Sequence, residues 1–201
     1  MDPIKFINCI NRSCQKSISS AFNLSLHSHN HNLFHFIIDG RSYALIKDEL
    51  VKVLNWFNNF WLFLEVKFRK VDEENEPQIN ISLSIFQGED LDKEKYQLFR
   101  AEWDDYNNLD EKHAQPHWHI TSSQMMENIF KEYIDSFNGS EFIKEFDNKK
   151  QKIIDIKKIH FAMNGDWQNS GKIFHKIKSE QQVVKWLQGM LFYLRAELES
   201  I

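Results

Sequence analysis

The sequence predicts an α+β protein in which an antiparallel sheet of about five strands carries helices packed on one face. Several central segments place apolar residues at every second position, which is the period of a strand with one buried face. Segments near both ends repeat apolar residues every three to four positions, which is the period of a helix. Because the chain has 201 residues, 42% of them hydrophobic, we expect a single domain over residues 1–201.

Four segments have the apolar spacing or the end signals of helices. In the first, Ile4, Ile7 and Ile10 recur at helical spacing, and in the third a serine cap precedes the helix and Asn138-Gly139 follows it. The predicted helices are Pro3–Phe22, Lys47–Phe60, Ser122–Phe137 and Ser179–Leu198.

Strands are predicted between these helices, first as one short run and then as a meander of five. The short run ends at Asp39-Gly40, a turn signal. The predicted strands are Leu33–Ile38, Leu62–Val71, Ile79–Phe86, Tyr96–Asp104, Pro116–Thr121 and Ile153–Met163. A Ser- and Asn-rich stretch with alternating histidines is expected to be a loop leading into a strand, although His-x-His could bind a metal. Its histidines are His27, His29, His31 and His35.

Composition and charge exclude several classes of protein. The net charge of −4 disfavours a dedicated duplex-DNA binder, although a nuclease can carry a locally basic cleft on an acidic body. No apolar segment is long enough for a signal peptide or a membrane span, so we expect a cytoplasmic protein with no membrane partner. Cys9 and Cys14 are spaced for neither a zinc knuckle nor a redox pair. No Gly-rich phosphate loop or nucleophile elbow is present.

The segment from His113 to Thr121 is the most unusual in the chain. Successive side chains of a strand point to opposite faces. If Trp103 and Trp118 both face the core, the polar residues of these strands share an open face, and the fifth strand of the meander adds two more. The expected members are Arg100, Glu102, Asp104, His117, His119, Lys158 and His160, above a floor of Asn80, Ser82 and Ser84.

Two kinds of chemistry fit this face, and the residues alone leave both open. In a metal site, His117 and His119 would join Glu102 or Asp104, with His113 or His160 completing a set suited to Zn, Mn or Fe. Without a metal, His119 and His160 would act as base and acid while Arg100 and Lys158 hold a phosphate. Either arrangement predicts a phosphodiester hydrolase or nuclease that acts on a nucleic acid or nucleotide.

Short resemblances to known families accompany these residues. Pro116-His-Trp-His119, after the acidic Glu102-Trp-Asp-Asp105, resembles the Pro-His-x-His signature of small bacterial proteins from toxin–antitoxin and phage-defence loci, over residues 96–120. His117-Trp-His119 also resembles part of the motif of histidine-triad nucleotide hydrolases. His119-Ile-Thr121 resembles one of the two His-x-Thr motifs of two-histidine phosphoesterases, which implies that Thr121 contacts the substrate.

A non-catalytic interaction or adaptor subunit of a larger complex is the alternative function. Its aromatic residues would form the surface for a protein partner, and its histidines would be packed for structural reasons. The aromatic candidates are Trp56, Trp61, Trp167 and Trp186. The surroundings of His119 discriminate between the two functions, because catalysis requires a cavity with cationic groups nearby.

Overall fold

The computed structural model describes residues 1–47, 49–70, 77–92, 95–105, 115–120, 161–162 and 175–200. Within these residues there are two helices, α1 (Pro3–Ser17) and α2 (Glu180–Glu199). The strands are β1 (Leu24–Asn30), β2 (Leu33–Ile38), β3 (Ser42–Ile46), β4 (Glu49–Phe57), β5 (Phe60–Arg69), β6 (Gln78–Gln87), β7 (Tyr96–Asp104), β8 (His117–Ile120) and β9 (Phe161–Ala162). The predicted helix Ser122–Phe137 and most of the predicted strand Ile153–Met163 lie outside the described residues.

The described strands form one antiparallel sheet. Their order is β1-β2-β5-β6-β7-β8-β9, and β4 pairs with both β3 and β5. The predicted α+β class is therefore confirmed, but the strand count is higher than the expected five. Eight strands have four or more residues, and the ninth has two.

Both helices pack on the same face of the sheet. The ring of Phe6 in α1 lies 5.9 Å from that of Phe68 in β5, and Trp186 in α2 lies 5.5 Å from Trp103 in β7. These contacts bury one set of alternating side chains. The opposite face of β5 carries the buried Phe63 near one end and the polar residues Glu65 and Lys67 farther along the strand. Neither described helix is long and apolar enough to cross a bilayer.

The prediction of a helix over Lys47–Phe60 is wrong, because residues 49–57 form β4, a turn follows it, and Phe60 is the first residue of β5. Consecutive residues of β4 are buried, as at Val53 and Leu54, so both faces of this part of the strand are covered. A strand covered on both faces has a continuous apolar run instead of an alternating one, and such a run also fits a helix.

The histidine-rich stretch is a β-hairpin and not the expected loop. β1 and β2 pair from Leu24 opposite Ile38 to Asn30 opposite Leu33. The turn begins at His31, whose φ of 47° suits the tight two-residue turns that join antiparallel strands. The Ser and Asn residues that favoured a loop lie on an exposed edge strand, where polar residues are tolerated.

Two chain segments approach each other closely at Gly40, so adding a single methyl group there should change the stability strongly. A Cβ atom at Gly40 would lie 2.1 Å from the carbonyl oxygen of Val53, whereas one at Gly189, within α2, would meet no atom within 4 Å. We expect Gly40→Ala to lower the free energy of unfolding by more than about 2 kcal/mol. Gly189→Ala should raise it by about 0.5–1 kcal/mol. Urea unfolding of both variants measures these changes, and equal effects would contradict the described packing.

Lys95 is a buried cation in the connection between β6 and β7, and it contacts backbone oxygens of that connection and of β3. Its side chain is 4% exposed and lies over the ring of Trp61, with Nζ 4.7 Å from the ring centroid. Burial lowers the pKa of Lys95, against the opposing charges of Asp90 and Asp92. Its three N–H groups are shared among four oxygen atoms within hydrogen-bonding distance of Nζ, namely Ser42 Oγ, Tyr43 O, Asp90 O and Asp92 O, at 2.9, 3.0, 3.1 and 2.5 Å.

Removing the ammonium of Lys95 should destabilise the fold. Lys95→Met would leave the buried Ser42 Oγ and three partly buried carbonyl groups without this donor, so we expect the free energy of unfolding to fall by at least about 2 kcal/mol. Lys52→Met is the matched control on an exposed position of β4, with an expected change within about 0.5 kcal/mol. Thermal and urea unfolding compare the two variants, and a neutral Lys95→Met would show that these contacts contribute little.

Candidate metal centre

The register of β7 with β8 brings a carboxylate and two histidines together. Glu102 lies opposite His117, and Arg100 lies opposite His119. Because side chains alternate along each strand, all four project from the face of the sheet opposite α1 and α2. The predicted hairpin-like pairing of these strands, and the shared face of the four residues, are confirmed.

Contacts on the helix-covered face and at the strand ends hold β7 and β8 in this register. Trp118 packs edge to face against Phe99, with ring centroids 6.3 Å apart. The Nε1 atom of Trp103 donates to the carbonyl oxygen of His175 at 2.7 Å. At the entry to β8, the backbone N–H of Asp104 donates to Oε1 of Gln115 at 2.8 Å. The polar side chains therefore project from a backbone that is held in place by contacts on the opposite face and at the strand ends.

Three ligand-type atoms of this face converge closely. His119 Nε2 lies 2.9 Å from His117 Nε2 and 2.9 Å from Glu102 Oε2. His117 Nε2 lies 3.5 Å from the same carboxylate oxygen. We call Glu102, His117 and His119 the histidine–glutamate cluster.

Hydrogen bonds alone satisfy these three contacts poorly. Each ring nitrogen has one position, which holds either a hydrogen or a lone pair. If both Nε2 atoms carry hydrogen and donate to Glu102, two N–H groups face each other at an N···N separation of 2.9 Å. If only one carries hydrogen, that hydrogen is shared between the other nitrogen and the carboxylate. A cation among the three atoms removes the conflict, because each then presents a lone pair to it.

The spacing of the cluster also fits a transition metal. Ligand bonds of about 2.1 Å, at angles of about 90–110°, would separate the donor atoms by about 3.0–3.4 Å. The observed separations of 2.9, 2.9 and 3.5 Å lie close to this range. Two imidazoles and a carboxylate suit Zn²⁺ with one further ligand, or Mn²⁺ and Fe²⁺ with several.

Glu102 is held as a carboxylate by its neighbours. Burial by itself would raise the pKa of Glu102, but hydrogen bonds with His117 and His119 and the charge of Arg100 outweigh it. Together they hold the pKa well below its usual range. Arg100 Nε lies 3.2 Å from Oε1, the oxygen that faces away from the closest histidine contacts. The two carboxylate oxygens thus have separate partners, and Oε2 is available to a cation.

The face is recessed and not open as predicted. His117 is 3% exposed and His119 14%, whereas Glu102 is 26% exposed. Ser82 and Ser84 in the predicted floor are buried as well. A small group can reach Glu102 and His119 from solvent, but His117 contributes from the interior.

The other predicted site residues are distributed differently. Asp104 shares the polar face but does not belong to the group of converging atoms, because it lies two residues along β7 from Glu102. Among the described residues, Glu102 is therefore the carboxylate of the cluster. Four predicted members lie outside the described residues, namely His113, Thr121, Lys158 and His160.

Sequence reasoning missed one group on this face. Glu65 of β5 contacts His35, with Nε2 and Oε2 3.0 Å apart, and also Lys67. The alternation in the predicted strand Leu62–Val71 already placed Glu65 and Lys67 on the polar side. His35 lies in the predicted strand Leu33–Ile38, but the sequence did not show that this strand pairs with the one that carries Glu65.

Comparisons with protein-family models, curated proteins and solved structures found no match to this chain. The resemblance of Pro116-His-Trp-His119 to the Pro-His-x-His signature accordingly stays a prediction. The chemistry of the site is inferred from its own geometry.

The convergence of the histidine–glutamate cluster predicts tight binding of one divalent transition-metal ion. After chelation and buffer exchange, titration with Zn²⁺ or Mn²⁺ should show one high-affinity equivalent by calorimetry. We expect His119→Ala to weaken its affinity by more than about 100-fold, since losing a ligand costs more than losing a residue that only supports one.

Asp104→Asn is the control for this titration, because it changes a carboxylate of the same strand and face outside the cluster. It should leave the affinity of the tight equivalent nearly unchanged. Equal losses in Asp104→Asn and His119→Ala would show that the ligands are not those of the histidine–glutamate cluster.

Proposed function

We propose that the protein is a metal-dependent phosphodiester hydrolase whose metal is held by Glu102, His117 and His119. The observation that carries the proposal is the convergence of two Nε2 atoms and one carboxylate oxygen within 2.9–3.5 Å of one another. Such a set provides three protein ligands and leaves further coordination positions, as catalytic sites do. A divalent ion bound there would polarise a phosphoryl oxygen and lower the pKa of a water molecule.

The position of Arg100 supports the proposal that the group attacked at this site is a phosphate. Its guanidinium is positioned beside Glu102, opposite His119 on the neighbouring strand. Arginine binds phosphate oxygens through a planar set of donors, and it stabilises negative charge that increases in the transition state. Among the described residues, this is the cationic side chain that contacts the cluster, and we assign it to the substrate anion.

The recessed position of the cluster favours a small or single-stranded substrate. His117 is almost fully buried, so only the side of the cluster at Glu102 and His119 is accessible to a phosphodiester. The net charge of −4 also disfavours a dedicated duplex binder, because duplex binding is driven by contacts of basic residues with phosphates. Extended or short phosphodiesters can enter such a recess more readily than the backbone of a rigid duplex.

Hydrolysis assays should separate the metal ligands from the anion contact. The protein loaded with Mn²⁺ or Zn²⁺ should hydrolyse bis(p-nitrophenyl) phosphate and single-stranded oligonucleotides faster than duplexes of equal length. The double variant His117→Ala/His119→Ala should lose this activity. At saturating metal, Arg100→Met should lower kcat/KM by about 100-fold, the cost of removing one stabilising donor.

Arg12→Met is the matched control, because it removes an arginine on the opposite side of the molecule, in α1. It should retain the activity of the unaltered protein. Activity that persists in the double histidine variant would contradict the proposal. A metal-loaded protein that hydrolyses none of these substrates would also contradict the proposed reaction, and would favour the interaction subunit.

A further inference from the structure

A second pair of histidines is in contact beside a β-bulge in β1. Leu26 pairs with Phe36 and Ser28 pairs with His35, so His27 is an extra residue in β1. Alternation along the strands already puts His27 on the face of His35, and the bulge leaves His27 next to His35 outside the regular pairing. Here the ring of His27 meets that of His35 edge to face, with centroids 5.3 Å apart.

Glu65 orients the second histidine of this pair. His35 Nε2 lies 3.0 Å from Glu65 Oε2, and Lys67 Nζ lies 3.2 Å from the same carboxylate. Because the carboxylate is paired with an ammonium, it is ionised and can only accept, so His35 donates from Nε2. The neutral ring of His35 then carries its lone pair on Nδ1.

We propose that His27 and His35 form a second transition-metal site, in which His35 binds through Nδ1 and Glu65 orients its ring. A metal-bound histidine usually donates its other N–H to a carboxylate, which is the arrangement at Glu65. Imidazole ligands favour Zn²⁺, Cu²⁺ or Ni²⁺ over the harder cations. Lys67 does not oppose the metal strongly, because Glu65 offsets its charge.

The second site is separate from the histidine–glutamate cluster. Glu65 in β5 lies opposite Ser82 in β6, which in turn lies opposite Glu102 in β7. Two strand spacings correspond to about 10 Å, which is too far for one ion to bridge. With two protein ligands, one of them exposed, we expect the second site to bind more weakly than the cluster.

The same hairpin provides matched control histidines. His29 stacks on Phe34 with centroids 4.1 Å apart, and its Nε2 lies 2.9 Å from the carbonyl oxygen of His31. His31 occupies the turn at the end of the hairpin. Both are exposed, and neither contacts Glu65, so they test whether any histidine of this hairpin suffices.

The full-length protein should bind two equivalents of Zn²⁺ in calorimetric titration, one tight and one weaker. The exposed-residue variant His27→Ala should lose only the weaker equivalent, and His117→Ala/His119→Ala should lose only the tight one. Glu65→Gln should weaken the second equivalent by about 10–100-fold, the usual cost of losing an orienting carboxylate. Electron paramagnetic resonance of Cu²⁺ added to the His117→Ala/His119→Ala variant should report nitrogen ligands. These signals should disappear when His27→Ala is added to the same variant.

His29→Ala/His31→Ala should leave both equivalents intact. The proposal is overturned if these control substitutions remove the weaker equivalent as fully as His27→Ala does, or if the protein binds no equivalent that His27→Ala removes. An unchanged second equivalent in Glu65→Gln would overturn the orienting role of Glu65. If the unaltered protein binds the weaker equivalent but no tight one, the result counts against the proposed hydrolase and not against the second site.

Discussion

The antiparallel pairing of β7 with β8 is the constraint on which the candidate site depends. It places Glu102 opposite His117 and Arg100 opposite His119. A shift of one residue would turn the histidines toward the helices and Trp118 toward the polar face, because side chains alternate with a period of two. The burial of Trp103 beneath α2 and the packing of Trp118 on Phe99 oppose such a shift. Core packing on one face thereby determines the chemistry of the other.

The histidine–glutamate cluster concentrates lone pairs in a partly buried position. Polar groups in such positions are normally satisfied by hydrogen bonds, since an unsatisfied one costs free energy. Three contacts around two ring nitrogens and one carboxylate oxygen exceed what their hydrogens can satisfy without sharing. A cation bound there would resolve this conflict, and the low pKa of Glu102 keeps the carboxylate ready to bind one. A carboxyl group whose pKa is shifted strongly by specific neighbours is a candidate functional group.

Both histidine groups lie on the same face because side chains alternate along a strand. His117 and His119 lie in the regular part of β8, whereas His27 lies at a bulge of β1 beside His35. In both groups a glutamate from a neighbouring strand contacts a histidine Nε2 atom. Glu102 contributes an oxygen atom to the histidine–glutamate cluster, while Glu65 orients the ring of His35 by accepting a hydrogen bond from its Nε2 atom.

The sequence by itself determined the strand alternation, and with it the face shared by Arg100, Glu102, His117 and His119. The prediction of this face succeeded because those strands have one covered face and one polar face. Such strands alternate apolar and polar residues with a period of two, which the sequence shows directly. Prediction from the sequence failed at β4, where consecutive residues such as Val53 and Leu54 are buried, and at β1, whose polar residues resemble a loop. Only the tertiary structure decided that Glu102, and not Asp104, joins the histidines. The physical reason is register, since alternation assigns a residue to a face but not to a partner across the sheet.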